Sequence, residues 1–225
     1  MHNIKRLEEP NILKDNKQKW TEELLFEIQT KGGFDKVDDS FKRHYKQNEV
    51  SEVLKKMNGG GYCYYCEQKI GKTDYAHIEH YKPKNQFPEL CFEWKNLHYS
   101  CHKCNIKKGV KWNLEHPILD PCDEDTNIEN HISYSLWELS GESDNALTTI
   151  DTFYLNDIEE REELVDARKK VFLELLRVIE SINMISDKVK KRKKIEDLKR
   201  HASEFEFKGM IKFSIKSFIK EDNLL

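Results

Sequence analysis

Four of the six cysteines occur as two closely spaced pairs. They are Cys63, Cys66, Cys101 and Cys104, each pair having the spacing Cys-x-x-Cys. Both thiolates of such a pair can turn toward one ion, and two pairs form the tetrahedral four-sulfur site that Zn²⁺ favours. Buried cysteines without a metal are the alternative, which paired spacing disfavours. Cys91 and Cys122 lack such spacing and are expected to be ordinary buried thiols.

The segment between the two cysteine pairs contains residue types suited to phosphodiester hydrolysis. This reaction needs a base to activate water and a cation to neutralise charge on the phosphorus and the departing oxygen. At the end of a strand, Glu79 and His80 would point to opposite faces, so one can hold a metal while the other reaches a water molecule. Mg²⁺ or Mn²⁺ needs only one or two protein oxygens, which Glu79 and the Asn105 amide would supply. Lys107 and Lys108 follow and are predicted to contact phosphate.

Three short motifs in this segment resemble the HNH, or ββα-metal, endonucleases. The motifs are the acid-His pair Glu79-His80, an Asn-Leu pair beginning at Asn96, and the Cys-x-x-Cys-Asn-x-x-Lys-Gly run of residues 101–109. The resemblance implies that Glu79 and Asn105 are ligands of the catalytic metal and that His80 is the general base. It also implies that Asn96 braces the loop holding the base. Many relatives have Asp in place of Glu79, a change that affects the expected metal geometry.

Flanking segments look like the nuclease subunits of the Septu anti-phage system, the PtuB family. The similar segments are Ile4-Lys5-Arg6 up to Trp20, the tract Ile118-Leu119-Asp120-Pro121, and Leu155-Asn156 followed by Arg161 or Arg168. In that family the nuclease works with an ABC-type ATPase (PtuA), and a related version accompanies retrons. The resemblance implies a DNA-cutting defence effector, with RNA such as tRNA as the alternative substrate.

A zinc deaminase is a competing interpretation of the same residues. His77-Ile78-Glu79 followed by a Cys-x-x-Cys pair imitates the deaminase signature, in which His77 and two cysteines hold zinc and Glu79 shuttles protons. However, Ser100 stands where the signature requires proline. The interpretation also leaves Cys63 and Cys66 without a role.

A non-catalytic zinc module that binds nucleic acid or protein is the other alternative. It explains the four cysteines and the neighbouring lysines. It does not explain the Glu79-His80 pair together with Asn96 and Asn105. Metal-dependent cleavage would separate this module from an enzyme.

The distribution of charge favours a basic working region within an acidic protein. The 225 residues carry a formal net charge of −3, with 35% charged and 11% aromatic residues. Residues 69–111 nevertheless hold nine lysines against four acids. Such a region is compatible with phosphate binding, and its small size suggests that a partner helps to hold the substrate. No apolar run is long enough to span a bilayer and the first ten residues do not resemble a secretory signal, so we expect a cytoplasmic protein.

The remaining pattern predicts an α+β fold, a small ββα-metal core with helices on both sides. We expect an N-terminal helical segment (1–58), the zinc-bound nuclease core (59–120), and a β-hairpin with C-terminal helices (121–225). Helices are predicted over 16–29, with Trp20, Leu24, Leu25 and Ile28 on one face, over 48–57, from Asn156 onward with Glu159 as capping partner, and over 186–202. Residues 131–139 and 146–155 are predicted to be the strands of the hairpin.

Two apolar stripes have no clear use inside so small a zinc core. One lies on the N-terminal helix and the other on the tail 205–219. Such stripes are either core or interface. The family resemblance favours an interface for at least one, and therefore predicts docking to the ATPase.

Overall fold

The computed structural model describes residues 1–71 and 75–219. Its α-helices are α1 (Asn11–Lys31), α2 (Asp39–Lys42), α3 (Asn48–Met57), α4 (His102–Lys108), α5 (Asp144–Phe153), α6 (Ile158–Asn183), α7 (Lys188–His201) and α8 (Lys208–Phe218). Its β-strands are β1 (His77–His80), β2 (Leu97–Ser100), β3 (Ile132–Ser135) and β4 (Glu138–Gly141). Within the described residues, no helix is both long and apolar enough to cross a membrane.

A short antiparallel hairpin followed by a helix forms the centre of the molecule. Strand β1 pairs with β2 so that His77 lies opposite Ser100 and His80 lies opposite Leu97. All four residues of β2 are buried. Helix α4 follows directly, its first turn capped by the Cys101 sulfur, which accepts a hydrogen bond from the Cys104 amide. This arrangement confirms the predicted α+β fold with a ββα core.

The N-terminal helices cover one side of this core. Leu13 and Leu24 of α1 are fully buried in a cluster that also contains Leu97 of β2. The indole ring of Trp20 packs edge-on against Phe92, with ring centroids 5.7 Å apart. Leu25, which belongs to the same predicted face, is 39% exposed. The α1 stripe therefore belongs largely to the core.

Helix α8 packs against α6 inside the chain. Its residues Ile211 and Ile215 share an apolar cluster with Leu175, Ile179 and Ile182 of α6. Met1 packs closely against Gly209 of α8. A β-carbon at position 209 would lie only 2.1 Å from the Met1 carbonyl oxygen, so the contact requires glycine. Of the two alternatives that the sequence left open, core or interface, the packing of the tail stripe therefore favours core.

The predicted β-hairpin of strands 131–139 and 146–155 is wrong, because the observed hairpin turns at Leu136 and Trp137, inside the predicted first strand. Strands β3 and β4 pair within 132–141, and the segment 146–155 is mostly helix α5. The Ser143 hydroxyl caps this helix by accepting from the Ala146 amide over 3.3 Å. Ala146, Ile150 and Phe153 then recur at helical spacing and are buried. The alternation read as a strand was one buried face of a helix.

Helix α6 begins one residue later than the sequence predicts, and Glu160, not Glu159, is the capping partner. Asp157 is the capping residue, accepting from the Glu160 amide over 2.9 Å. The Asn156 Oδ1 atom instead accepts hydrogen bonds from the Leu139 amide and from Arg168, and its Nδ2 atom donates to the Leu139 carbonyl. Asn156 thus joins α6 to strand β4.

Candidate active site and metal centre

The two cysteine pairs come together in one buried cluster. Their sulfur atoms all lie within 4.8 Å of one another, and the Cys66 and Cys101 sulfurs are 3.8 Å apart. All four thiols are buried and unoxidised. One pair lies in the loop before β1 and the other at the start of α4, so the cluster joins both ends of the hairpin. A four-sulfur donor set at this spacing suits zinc.

A buried arginine beside the cluster supports the presence of a bound metal. Arg161 is 2% exposed, and its Nη1 atom donates to the Cys104 sulfur over 3.7 Å and to the Phe153 carbonyl over 2.9 Å. Its Nε and Nη2 atoms are buried without a hydrogen-bond partner. A buried cation needs a nearby anion, and zinc bound by four thiolates carries a net negative charge. The residues present therefore fit a structural zinc.

A cleft of about 550 Å³ opens beside the hairpin. Three of the predicted catalytic residues line it, namely Glu79 and His80 from β1 and Asn105 from α4. The opposite wall comes from the N-terminal segment, with Tyr45 before α3 and Asn48 at its start. The N-terminal helices therefore build part of the candidate active site.

The His80 ring is held in one orientation. Its Nε2 atom lies 2.9 Å from the Cys91 carbonyl oxygen, and its ring packs edge-on against Tyr45 with centroids 4.5 Å apart. Burial lowers the pKa of His80 to about 3, helped chiefly by the positive charge of Lys84. The ring is therefore neutral near pH 7, which is the state a general base needs.

Glu79 is buried and already faces a cation. The Lys108 Nζ atom donates to Glu79 Oε1 over 2.7 Å and to the His80 carbonyl over 2.6 Å. Burial raises the pKa of Glu79, and the Lys108 ammonium opposes that shift. Glu79 Oε2 and the amide oxygen of Asn105 remain as hard oxygen donors in the cleft, the donor type that Mg²⁺ and Mn²⁺ prefer.

Asn96 closes the loop that follows His80. Its Oδ1 atom accepts from the Lys82 amide over 2.7 Å, and its Nδ2 atom donates to the carbonyls of Lys82 and Leu90 over 3.1 and 3.0 Å. Leu90 precedes Cys91, whose carbonyl holds the His80 ring. The geometry is that of a bracing residue.

The comparison with known proteins agrees with this geometry. Residues 63–111, which include both cysteine pairs and the lining residues Glu79, His80 and Asn105, match the HNH endonuclease family. These residues are therefore similar to an HNH endonuclease domain. Its hairpin-and-helix architecture and its clustered cysteines are the features that the motifs predicted.

Two relatives extend the similarity beyond the HNH domain. Over 98 residues the chain is 35% identical to the Septu protein PtuB of Bacillus thuringiensis, covering 43% of this chain and 37% of the relative. Over 174 residues it is 28% identical to the Septu protein PtuB of Bacillus mycoides (strain KBAB4), covering 63% and 58% respectively. The chain thus matches less than two thirds of either relative's length. These matches confirm the resemblance suggested by the motifs.

The two lysines of the HNH domain predicted to contact phosphate lie apart from the lining of the cleft. Lys107 forms an ion pair with Glu160 of α6, and its Nζ atom lies 4.4 Å from the centroid of the Tyr154 ring. Lys108 is fully buried against Glu79. In this geometry Lys108 orients the carboxylate and Lys107 joins α4 to α6. Phosphate contact by either residue stays a prediction.

Histidines beside the HNH motif do not form the competing deaminase site. The His77 Nε2 atom lies 3.1 Å from His102 Nδ1, while the four cysteines gather around one another. A deaminase zinc would take His77 and two of these cysteines, so the deaminase interpretation is wrong. His77 does line the cleft, next to Glu79 along β1.

A buried triad behind the hairpin was not foreseen from the sequence. His98 of β2 is fully buried; its Nδ1 atom lies 2.8 Å from the Tyr65 hydroxyl and its Nε2 atom 3.1 Å from Asp120 Oδ1. The Cys122 amide donates to the same carboxylate oxygen over 2.7 Å. Burial raises the pKa of the Cys122 thiol to about 12. The triad ties the HNH hairpin to the chain that follows it.

Proposed function

We propose that this chain is a metal-dependent endonuclease that hydrolyses phosphodiester bonds in nucleic acid. The observation that supports this most strongly is the convergence of Glu79, His80 and Asn105 on one cleft inside an HNH domain. A non-catalytic zinc module would need only the cysteine cluster. Binding by such a module would not require a neutral, oriented histidine (His80) beside the two oxygen donors of Glu79 and Asn105.

His80 would be the general base. Since its Nε2 atom carries the proton that binds the Cys91 carbonyl, its Nδ1 atom has a free lone pair. His80 Nδ1 would take a proton from a water molecule as the water oxygen attacks phosphorus. The bond between phosphorus and the 3′ oxygen then breaks, and the sugar departs with that oxygen.

Glu79 and Asn105 would hold the catalytic Mg²⁺ or Mn²⁺ ion. When bound, this ion supplies positive charge that offsets the negative charge developing on the phosphate and the leaving oxygen. Lys108 would keep the Glu79 carboxylate ionised and fixed in place, because it binds both Glu79 and the His80 backbone. Cys63, Cys66, Cys101 and Cys104 would hold a separate, structural zinc.

The biological role that we propose is defence against phage, in a Septu-type system with an ABC-type ATPase. The proposal rests on similarity to two Septu PtuB proteins. DNA is the favoured substrate, but a nuclease that grips mainly phosphate accepts RNA as readily. The assay therefore needs both substrates.

The test is a cleavage assay on plasmid DNA and on total tRNA. The protein would be assayed with Mg²⁺, with Mn²⁺ and without added divalent metal, alone and together with a co-expressed ABC-type ATPase. We expect metal-dependent cleavage that is lost in His80→Ala. Absence of cleavage under all these conditions, or wild-type cleavage by His80→Ala, would refute the proposed nuclease.

A further inference from the structure

Lys84 lies on the wall of the cleft, four residues after His80. Its Nζ atom donates to the Tyr45 hydroxyl over 3.1 Å and to the Lys42 carbonyl over 3.3 Å. The same atom lies 4.9 Å from the centroid of the Tyr45 ring. Because that ring also packs against His80, one aromatic side chain positions both the ammonium and the base.

The ammonium of Lys84 forms no direct ion pair among the described residues, whereas the neighbouring Lys108 is neutralised by Glu79. An ammonium has three donors, and the two contacts described use two of them. Burial lowers the pKa of Lys84, and the charges of Lys46 and Arg43 add to this effect, while Cys91 and Asp39 oppose it. An anion entering the cleft would therefore remove an electrostatic cost that the free protein carries.

We propose that Lys84 is the phosphate-binding cation of this active site. Its third N–H donates to a non-bridging oxygen of the scissile phosphate and stabilises the charge that grows there as water attacks. Lys84 exchanges no proton; the proton of the attacking water goes to His80. This inference rests on the proposed nuclease function and adds a cation that the HNH motif does not contain.

The structure favours Lys84 over the lysines that follow the second cysteine pair. Lys107 is committed to Glu160 and Lys108 to Glu79, and neither lines the cleft. Lys84 lines the cleft and contacts Tyr45 and Lys42 of the N-terminal segment. A phosphate held there would lie next to the base and near both metal-binding oxygens.

Lys84→Met tests the proposal by kinetics. With plasmid DNA and tRNA in Mn²⁺, we expect kcat/KM to fall roughly 10²-fold, the usual loss when one group that stabilises transition-state charge is removed. Lys84→Arg, which keeps the charge, should retain most of the activity. The matched control is Lys14→Met, an equal change of charge at an exposed position of α1. Zinc content and thermal unfolding would be measured for every variant.

A binding assay separates this inference from the nuclease proposal. The His80→Ala protein, without added Mg²⁺ or Mn²⁺, would be titrated with a fluorescent DNA duplex over a series of salt concentrations. The slope of log K against log salt is negative, and losing one phosphate contact makes it shallower by about 0.9. Lys84→Met should therefore make the slope shallower by that amount, and Lys14→Met should leave it unchanged. If Lys84→Met does not fold, Lys84→Gln takes its place. A wild-type slope in the folded variant overturns the role of Lys84, even if no cleavage is ever detected.

Discussion

The Nε2–H group of His80 donates a hydrogen bond to the carbonyl oxygen of Cys91 over 2.9 Å. A carbonyl can only accept, so this contact fixes the tautomer of the ring and leaves the lone pair on Nδ1. Cys91 lies at the end of the loop that Asn96 closes at Lys82 and Leu90. The state of the base therefore depends on the backbone conformation of that loop.

Replacement of Asn96 should weaken both the fold and the catalysis. Asn96→Ala removes three hydrogen bonds at a residue that is 5% exposed. The loss of buried partners should lower the free energy of unfolding by about 1–3 kcal/mol. Denaturant unfolding would measure this, and kcat should fall because the Cys91 carbonyl shifts. Asn96→Asp keeps the acceptor for the Lys82 amide and should be intermediate; equal stability and kcat in all three proteins would exclude the bracing role.

Loss of the base and loss of a metal ligand should be distinguishable. His80→Ala should abolish cleavage at every metal concentration while zinc content and fold are retained. Asn105→Ala removes one of two oxygen donors, so it should raise the Mn²⁺ concentration needed for half-maximal activity. Titration of each variant with Mn²⁺ would show the difference. Wild-type cleavage by His80→Ala would turn attention to His77, which also lines the cleft.

The HNH core could be predicted because its chemistry restricts its sequence. Metal-binding cysteines need paired spacing, and a base beside a metal ligand needs the Glu79-His80 order, so few residue types are compatible with each position. The wall of the cleft carries no such signal. Tyr45 lies 35 residues before His80, and only tertiary packing brings their rings together. The signal for Lys84 was its place just after Pro83, in the loop following the base.

Regions outside the core were predicted less well for a different physical reason. The segment 146–155 has apolar residues at positions that fit a strand and a helix alike. The Ser143 cap and packing against strand β4 select the helix. The stripe of α8 could be core or interface from the sequence, because periodicity shows which face is apolar and not what covers it. The structure places α6 against it.

The pH dependence of cleavage should respond to Lys84. Burial and then the Lys84 charge lower the pKa of His80 to about 3, so its neutral form persists far below pH 6.5. Removing the charge in Lys84→Met should raise that pKa. The acid limb of the kcat/KM profile, which reports the free enzyme, should therefore move to higher pH in the residual activity. Lys14→Met should leave the limb in place, and an unmoved limb in Lys84→Met would show that its charge does not reach His80.

The zinc centre should depend on Arg161. We expect about one tightly bound zinc per chain, and Cys101→Ser should misfold because metal-binding energy here is folding energy.

Arg161→Met removes the cation beside the Cys104 sulfur, so zinc should pass faster to a colorimetric chelator. Arg161→Lys keeps the charge and should be closer to wild type. A folded protein without zinc by elemental analysis would disprove the metal centre, and equal release rates would disprove the role of Arg161.

Helix α8 provides the test that separates core from interface. Ile215 is buried between α8 and α6, so Ile215→Ala should lower the free energy of unfolding by about 2–5 kcal/mol. Met184→Ala, at a position 84% exposed, should change it by less than about 0.5 kcal/mol.

Removal of residues 205–225 should abolish cooperative thermal unfolding, because it also exposes the buried face of α6. Unfolding would be followed by circular dichroism, and association with the ATPase by co-purification. The contrary result is a truncated protein that unfolds at the wild-type temperature but no longer co-purifies with the ATPase. The stripe would then serve docking, and the packing of α8 against α6 would not stabilise the chain.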